Sequence, residues 1–364
     1  MAWAQQPSVK EFMMKLKTKK LAYQAGMLGV YHRLRNRKLL TVAMFHRILP
    51  LADPRHAGAD PEWTMTPTAF AGCLGFFCKH YHVVSPAQVF AALEGGVPLP
   101  TRALLITFDD GWADTAEYAQ PLLAEFSLSA LVFVAGCAID QAAAFWQEHV
   151  YSYLATEPDG IAQLTAAWQR SSAPMPGTTL PPPAGEAAIR TVIDMLGKLD
   201  SPARDAIVAA LCPARAARPA MLDAAQLACL IGAGHTIGGH GMTHQPLTRL
   251  ARADIDLRQA QETLATHLAQ PHVESMSFPH GAWSDTIVAH AQSAGFRYLF
   301  SSEACLNGFG NGEDAPSRPV GRIHISERAI VDAAGTFQPA LLAAWLFLRT
   351  ARPLAPIARV THGR

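Results

Sequence analysis

The stretch Ala103-Leu-Leu-Ile-Thr-Phe-Asp-Asp-Gly-Trp112 begins as a short apolar run and ends on two adjacent carboxylates. Ala103–Thr107 has the length and composition of a buried strand, and the carboxyl end of a buried parallel strand is where α/β enzymes build their sites. Farther along, His240-Gly-Met-Thr-His244 spaces two imidazoles four residues apart, on one face if a helical turn begins there. Asp110, His240 and His244 together offer one oxygen and two nitrogens to a metal and leave a coordination position open. That is the donor set of a catalytic rather than a closed structural centre. Asp109, next to the oxygen ligand, then has the position of a general base.

Six further segments read as strands: Leu39–Phe45, Ala130–Val134, His235–Gly238, Ser275–Phe278, Arg297–Ser301 and Val320–Ile325. Helical patterns lie between them. One runs from Asp114 to Glu125, with Asp114 as its cap, Glu117 at capping-box spacing and a break at Pro121. Another runs from Ala251 to Leu268. Alternating strands and helices predict an α/β fold with a parallel sheet and the candidate ligands at strand ends. Residues 140–222 interrupt the alternation with loop-like Pro- and Gly-rich stretches. They read as an inserted helical cap with too few apolar positions for a core of its own. Three parts result: a segment 1–39, a catalytic domain 40–326 carrying the insertion, and a helical extension 327–364.

Of the 364 residues, 50% are apolar and 16% charged, which fits a globular protein and argues against disorder. The net charge of +1 hides an asymmetry, because residues 1–40 hold nine Lys or Arg against Glu11, +8, and the remainder sums to −7. The body gives no reason to expect nucleic acid as a partner. From Val9 to Leu40, apolar residues alternate with Lys and Arg at roughly helical spacing, so residues 9–40 are a candidate for peripheral contact with an anionic membrane. No signal peptide or transmembrane run is visible, and the expected location is the cytoplasm, with membrane association open. The six cysteines form no C-x-x-C pair, and buried reduced thiols are expected. His80 and His82 are a weak rival histidine pair with no acid pair nearby.

Thr107-Phe-Asp-Asp-Gly-Trp112 and His240-Gly-Met-Thr-His244 resemble the first two motifs of the polysaccharide deacetylase family, the NodB-like carbohydrate esterases. Ser277-Phe-Pro-His-Gly281 resembles a variant of its third motif, and Met44-Phe-His-Arg47 is similar to an early Tyr-His-Arg element. The likeness runs from about Leu40 to about Ser326. It implies a distorted (β/α)7-type barrel, with Asp109 as catalytic base and Asp110, His240 and His244 as metal ligands. It also implies His324 as the late general acid and Pro279 and His280 as lining of the substrate groove, with the His280 backbone N–H as oxyanion donor. The third motif often carries an arginine two residues before its proline, paired with the catalytic aspartate. That position is Ser277 here, and Arg318 or Arg322 is the candidate to replace it.

The implied function is a metal-dependent hydrolase that removes an N-acetyl group from a sugar of a polysaccharide, oligosaccharide or glycolipid, by metal-activated water. One divalent ion is expected, Zn2+ first, with Co2+, Ni2+ or Fe2+ also suited to the donors. The expected partner is an N-acetylated glycan or a lipid-linked sugar. Trp112, beside the aspartates, is the candidate ring for stacking on sugar, and His46 either lines the site or caps the first strand. A deformylase or small-amide hydrolase on the same scaffold is one alternative. A catalytically silent carbohydrate-binding protein is another.

Overall fold

The computed structural model describes residues 18–140, 145–171, 173–174, 180, 185–211, 220–309 and 318–354. Its strands are β1 (Leu39–Phe45), β2 (Arg47–Ile48), β3 (Thr64–Met65), β4 (His82–Val83), β5 (Ala103–Phe108) and β6 (Leu131–Val134). There follow β7 (Thr236–Gly239), β8 (Ser275–Ser277), β9 (Tyr298–Phe300), β10 (Leu306–Phe309), β11 (Ile323–His324) and β12 (Ala351–Leu354). β1 and β5 run parallel from Leu40 against Ala103 to Phe45 against Phe108. β6, β7, β8 and β9 continue the sheet in parallel. Phe300 then bridges Val320, and β11 pairs in parallel with β1 at Ala43 and Met44. The ring closes through residues 320–324, so the segments expected as strands form a distorted (β/α) barrel. β10 runs antiparallel to the start of β1, and β12 extends it. The sequence hid this edge because Leu-Asn-Gly-Phe and Ala-Arg-Pro-Leu carry a glycine and a proline and no alternation.

Strand parity separates two cores. Leu40, Val42, Leu105, Leu131, Phe133 and Phe300 fill the lumen together with residues of the helix Pro86–Leu93. The intervening Ala43, Phe45, Leu104, Ile106, Phe108, Val132 and Val134 face the outer helices. β5 is buried at all six positions, which explains its unbroken apolar run. Ala103, Leu105 and Thr107 share the lumen parity, and the next residue of that parity is Asp109.

The insertion departs from expectation. Its helices Trp146–Thr156, Gly160–Arg170, Glu186–Leu196 and Ser201–Ala209 enclose an apolar cluster of their own around Val150, Leu164, Trp168, Val192, Leu196 and Ile207. The apolar positions are spread over four short amphipathic helices, so no single stretch of sequence reveals the core. Arg47 Nη1 to Glu148 Oε1 at 2.5 Å and Arg190 Nη2 to Asp60 Oδ1 at 2.6 Å tie the cap to the barrel.

At the other end, the helix Met27–Arg35 lies against the helix Pro339–Phe347. The His32 ring stacks on Phe347 at 3.9 Å, and Asn36 Nδ2 donates to the Phe347 carbonyl at 2.9 Å. Residues 1–17 of the basic stretch lie outside the described residues, as do Cys212 and residues 355–364. Cys73 and Cys305 are buried free thiols, but Cys78 and Cys229 are exposed, so burial does not hold for all of them. Among the described residues no helix is long and apolar enough to cross a membrane.

Candidate metal centre and catalytic pocket

Asp109 leaves β5 on its lumen side and meets Arg322, which enters the barrel just before β11. The two form a bidentate pair, Nη1 to Oδ1 at 2.5 Å and Nη2 to Oδ2 at 2.7 Å. Arg322 Nε donates to the Ser301 carbonyl at 3.0 Å, and the guanidinium lies over the Phe133 ring. Taking both charges out of water costs several kcal/mol each, and here the fork geometry and the extra carbonyl offset that cost. Burial pushes the Asp109 carboxyl up, but Arg322 and His240 outweigh it and hold it below the usual carboxylate range. Arg318 is exposed, so of the two candidates Arg322 makes the contact.

Asp110 and Gly111 both adopt left-handed backbone, φ 77 and 88. The chain therefore turns sharply after Asp109 and aims the second carboxylate away from the first. Gly111 is needed for space as well as conformation, since a Cβ there would lie 2.8 Å from Val134 Cγ1.

His240 follows β7, but residues 240–244 form no helical turn. Gly241 (φ 69) and His244 (φ 53) bend the chain instead, so the condition of a helical turn is not met and a loop carries both histidines. Asp256, from the helix Ala253–His267, clamps this loop. It accepts from Met242 N at 2.8 Å, Thr243 N at 3.1 Å and Thr243 Oγ1 at 2.7 Å. The result brings His240 Nε2 to 3.4 Å and His244 Nε2 to 3.1 Å from Asp110 Oδ1. The three donor atoms all lie within 4.8 Å of one another. Ligands about 2.0–2.1 Å from a tetrahedral ion stand about 3.3 Å apart, so the donor set fits a divalent metal.

Two of the three candidate ligands have their outer atoms committed elsewhere, as an orienting outer contact would do for a metal ligand, whereas His244 Nδ1 is buried with no hydrogen-bond partner among the described residues. His240 Nδ1 lies 3.0 Å from the Ser277 carbonyl and 2.6 Å from Ser277 Oγ, which leaves Nε2 for the centre. Ser277 Oγ also reaches Asp109 Oδ1 at 3.4 Å, linking the candidate ligand and the candidate base. Trp112 Nε1 donates to Asp110 Oδ2 at 2.9 Å. Burial pushes Asp110 up, but His244 and His240 pull it well below its ordinary value. The His244 ring stacks on Phe145 of the cap at 3.9 Å.

Two expectations change here. Trp112 is 3% exposed, with Arg47 over its ring at 4.2 Å, so it braces the Asp110 carboxylate and has no open face for sugar. Asp114 makes no side-chain helix cap. Its buried carboxylate accepts from Arg47 Nε at 3.0 Å on one oxygen and Ile48 N at 2.9 Å on the other, so β2 takes both oxygens and neither caps the helix. The exposed aromatic beside the site is Trp63, 41% exposed, whose ring lies 4.5 Å from both His46 and His324. His324 Nε2 donates to the Glu62 carbonyl at 3.0 Å and stands 3.7 Å from Glu62 Oε1. Burial, then His46, pushes His324 down to about 3. Burial also lowers His46, against the pull of Asp110 and Asp109. Pro279 is buried in the turn Pro279–Gly281, and His280 (φ 56) turns its side chain to the His244 carbonyl at 3.1 Å.

Residues 96–299 match the family model described as polysaccharide deacetylase. The chain belongs to the polysaccharide deacetylase family. A chitooligosaccharide deacetylase of Sinorhizobium fredii (strain NBRC 101917 / NGR234) is 29% identical over 68 residues, 18% of this chain and 32% of that protein. The matched stretch thus spans about a third of that relative. Among solved structures, the Streptococcus pyogenes deacetylase PplD, in complex with acetate, superposes with a TM-score of 0.52 at 16% identity, covering 85% of this chain and 99% of that one. IcaB from Ammonifex degensii gives 0.50 at 18% identity, covering 85% and 97%. These likenesses bear on the fold.

Within this deacetylase family member, the metal-ligand candidates, Asp109 and His46 with His324 gather at one mouth of the barrel. Sequence reasoning missed Asp256, the Ser277 hydroxyl, Trp63, Glu62 and Phe145. Asp256 left one trace, a carboxylate in the first turn of the helix that follows the histidine loop. Trp63 and Glu62 sit in an irregular stretch between β2 and β3, where no periodicity marks them.

Proposed function

We propose that the protein is a metal-dependent N-deacetylase acting on a sugar within a polysaccharide, oligosaccharide or glycolipid. The observation that carries this reading is the meeting of three ligand atoms with a separate carboxylate that has its own guanidinium. Asp110, His240 and His244 would hold the ion, zinc first, with cobalt, nickel or iron also suited to the donors. When bound, such an ion supplies a Lewis acid that polarises a carbonyl and makes water ionise near neutral pH.

Asp109 is the base. Held ionised by Arg322, it takes a proton from the water that attacks the amide carbon. The His280 backbone N–H serves as a donor to the developing oxyanion, with Pro279 shaping that wall. The C–N bond then breaks, releasing acetate and an amine that must leave protonated. His324 is the acid. It rests neutral, so it takes up a proton from solvent before the C–N bond breaks, while the proton that Asp109 takes from the water returns to solvent; Glu62 at 3.7 Å supports the imidazolium. Trp63 offers the stacking face first expected of Trp112, beside His46. The chitooligosaccharide named for the curated relative makes N-acetylated glucosamine oligomers the first substrate to try.

The test combines metal analysis with acetate release. Asp110→Ala and His240→Ala should lose the ion. Asp109→Asn should keep it while release falls by about a hundredfold or more. Wild-type protein that takes up no ion on reconstitution, or an Asp109→Asn variant with undiminished release, refutes the reading.

A further inference from the structure

The helix Met27–Arg35 turns its apolar stripe outward. Met27, Val30, Tyr31 and Leu34 recur at helical spacing, yet they are 65%, 48%, 39% and 76% exposed. The side facing the body carries Leu28 and the buried His32. Leu21, in the helical stretch at 18–24, is 68% exposed as well. A lone exposed leucine is ordinary, but a periodic stripe is an interaction face.

Beside this helix opens a cleft of about 450 Å³ that includes Tyr23, Arg33, Lys79, His80 and Arg102 and has no acid in its lining. The side chains of Arg33, Lys79 and Arg102 have no hydrogen-bond or ion-pair partner among the described residues. Arg102 Nε is buried and unpaired, and Arg102 is held at φ 54. Two backbone hydrogen bonds, its N–H to Arg37 O and His82 N–H to its carbonyl, both 3.0 Å, keep it there. Burial and these three cations together push His80 down to about 4. Residues 18–40 add Lys19, Lys20, Arg35, Arg37 and Lys38, with no acid among them.

We propose that this face docks on an anionic lipid surface, a phosphate headgroup entering the cleft between Arg33, Lys79 and Arg102 while Met27, Val30 and Leu34 enter the interface. Charge complementarity selects the occupant. A second copy of the chain would set cation against cation, whereas an anionic bilayer satisfies the cations and buries the stripe together. Arg102 stands at the opening of β5 and Asp109 just past its end, six strand residues or about 20 Å away, so docking leaves the catalytic mouth clear.

The test is sedimentation of the full chain with vesicles of phosphatidylcholine alone and of phosphatidylcholine mixed with phosphatidylglycerol. Binding to the mixed vesicles alone, falling with salt, is expected. The pairs Arg33→Glu with Lys79→Glu and Met27→Glu with Leu34→Glu should each weaken it about tenfold or more. All four residues are exposed, so the variants should keep the wild-type unfolding midpoint, which controls for folding. Equal binding to both vesicle types, or binding that survives both pairs, overturns the proposal. Self-association without lipid that the Met27→Glu, Leu34→Glu pair abolishes would assign the face to a second copy instead. Saturable uptake of inorganic phosphate without vesicle binding would assign the cleft to a soluble anion.

Discussion

Arg322 and Asp109 bury opposite charges against one another, and Arg322 is 1% exposed. Removing one partner leaves the other as an uncompensated buried charge. Arg322→Met should therefore lower stability by about 3–5 kcal/mol, read from urea unfolding. Arg322 makes no hydrogen bond to Asp110, His240 or His244, so an ion held by them as proposed should stay bound while kcat falls by about a hundredfold. Loss of the ion in this variant would show that Arg322 supports the whole centre and not Asp109 alone. At this scale the sequence was generous where chemistry is local. Asp109 with Asp110, and His240 with His244, sit in short motifs and are found where they were expected. Arg322 was one of two candidates because its partner lies 213 residues away, and no local pattern records such a pairing.

Elements decide where those residues point. β5 was legible from five apolar residues because a strand buried on both faces needs nothing else. The i, i+4 spacing of the two histidines fits a turn of helix and also a loop bent by two left-handed residues, and the chain takes the loop. What holds the loop is Asp256, which accepts from the Met242 and Thr243 backbone N–H groups and from the Thr243 hydroxyl. Asp256→Ala should weaken metal binding by about 10- to 100-fold, with activity recovering as metal is raised. Titration with the ion distinguishes this from lost folding, because an unfolded chain would not recover. The segment after Asp110 shows the same competition. A wide turn at Thr115–Ala119, with Gln120 N bonding to Thr115 O, leads into the helix Gln120–Glu125. Asp114 serves Arg47 there and leaves the helix uncapped.

On the scale of the molecule, two cores divide the labour. The barrel holds the aspartates and histidines, and the cap lays Phe145 on His244 and Glu148 on Arg47. Arg47 in turn lies over Trp112, which holds Asp110, so the cap reaches that candidate ligand through three contacts. Trp168 is fully buried at the centre of the cap. Trp168→Ala should cost about 3–5 kcal/mol, concentrated in that subcore. Hydrogen exchange should then quicken in 146–209 while β5 and β6 stay protected, with metal affinity reduced. Equal loss of protection in β5 would mean that cap and barrel unfold as one unit. The barrel itself was legible as seven strand segments in order. Its closure was not, because the ring closes on two residues of β11 and the bridge from Phe300 to Val320.

The sequence by itself determined the α/β order and the identities of the candidate base and ligands. These follow from side-chain period and from donor chemistry, which are properties of neighbouring residues. Tertiary structure alone decided that Arg322 and not Arg318 neutralises Asp109, that Trp112 is buried while Trp63 is exposed, and that the insertion has its own core. Each of these depends on which distant groups compete for one buried charge or one apolar surface. That competition is settled only when the chain has closed and water has been excluded.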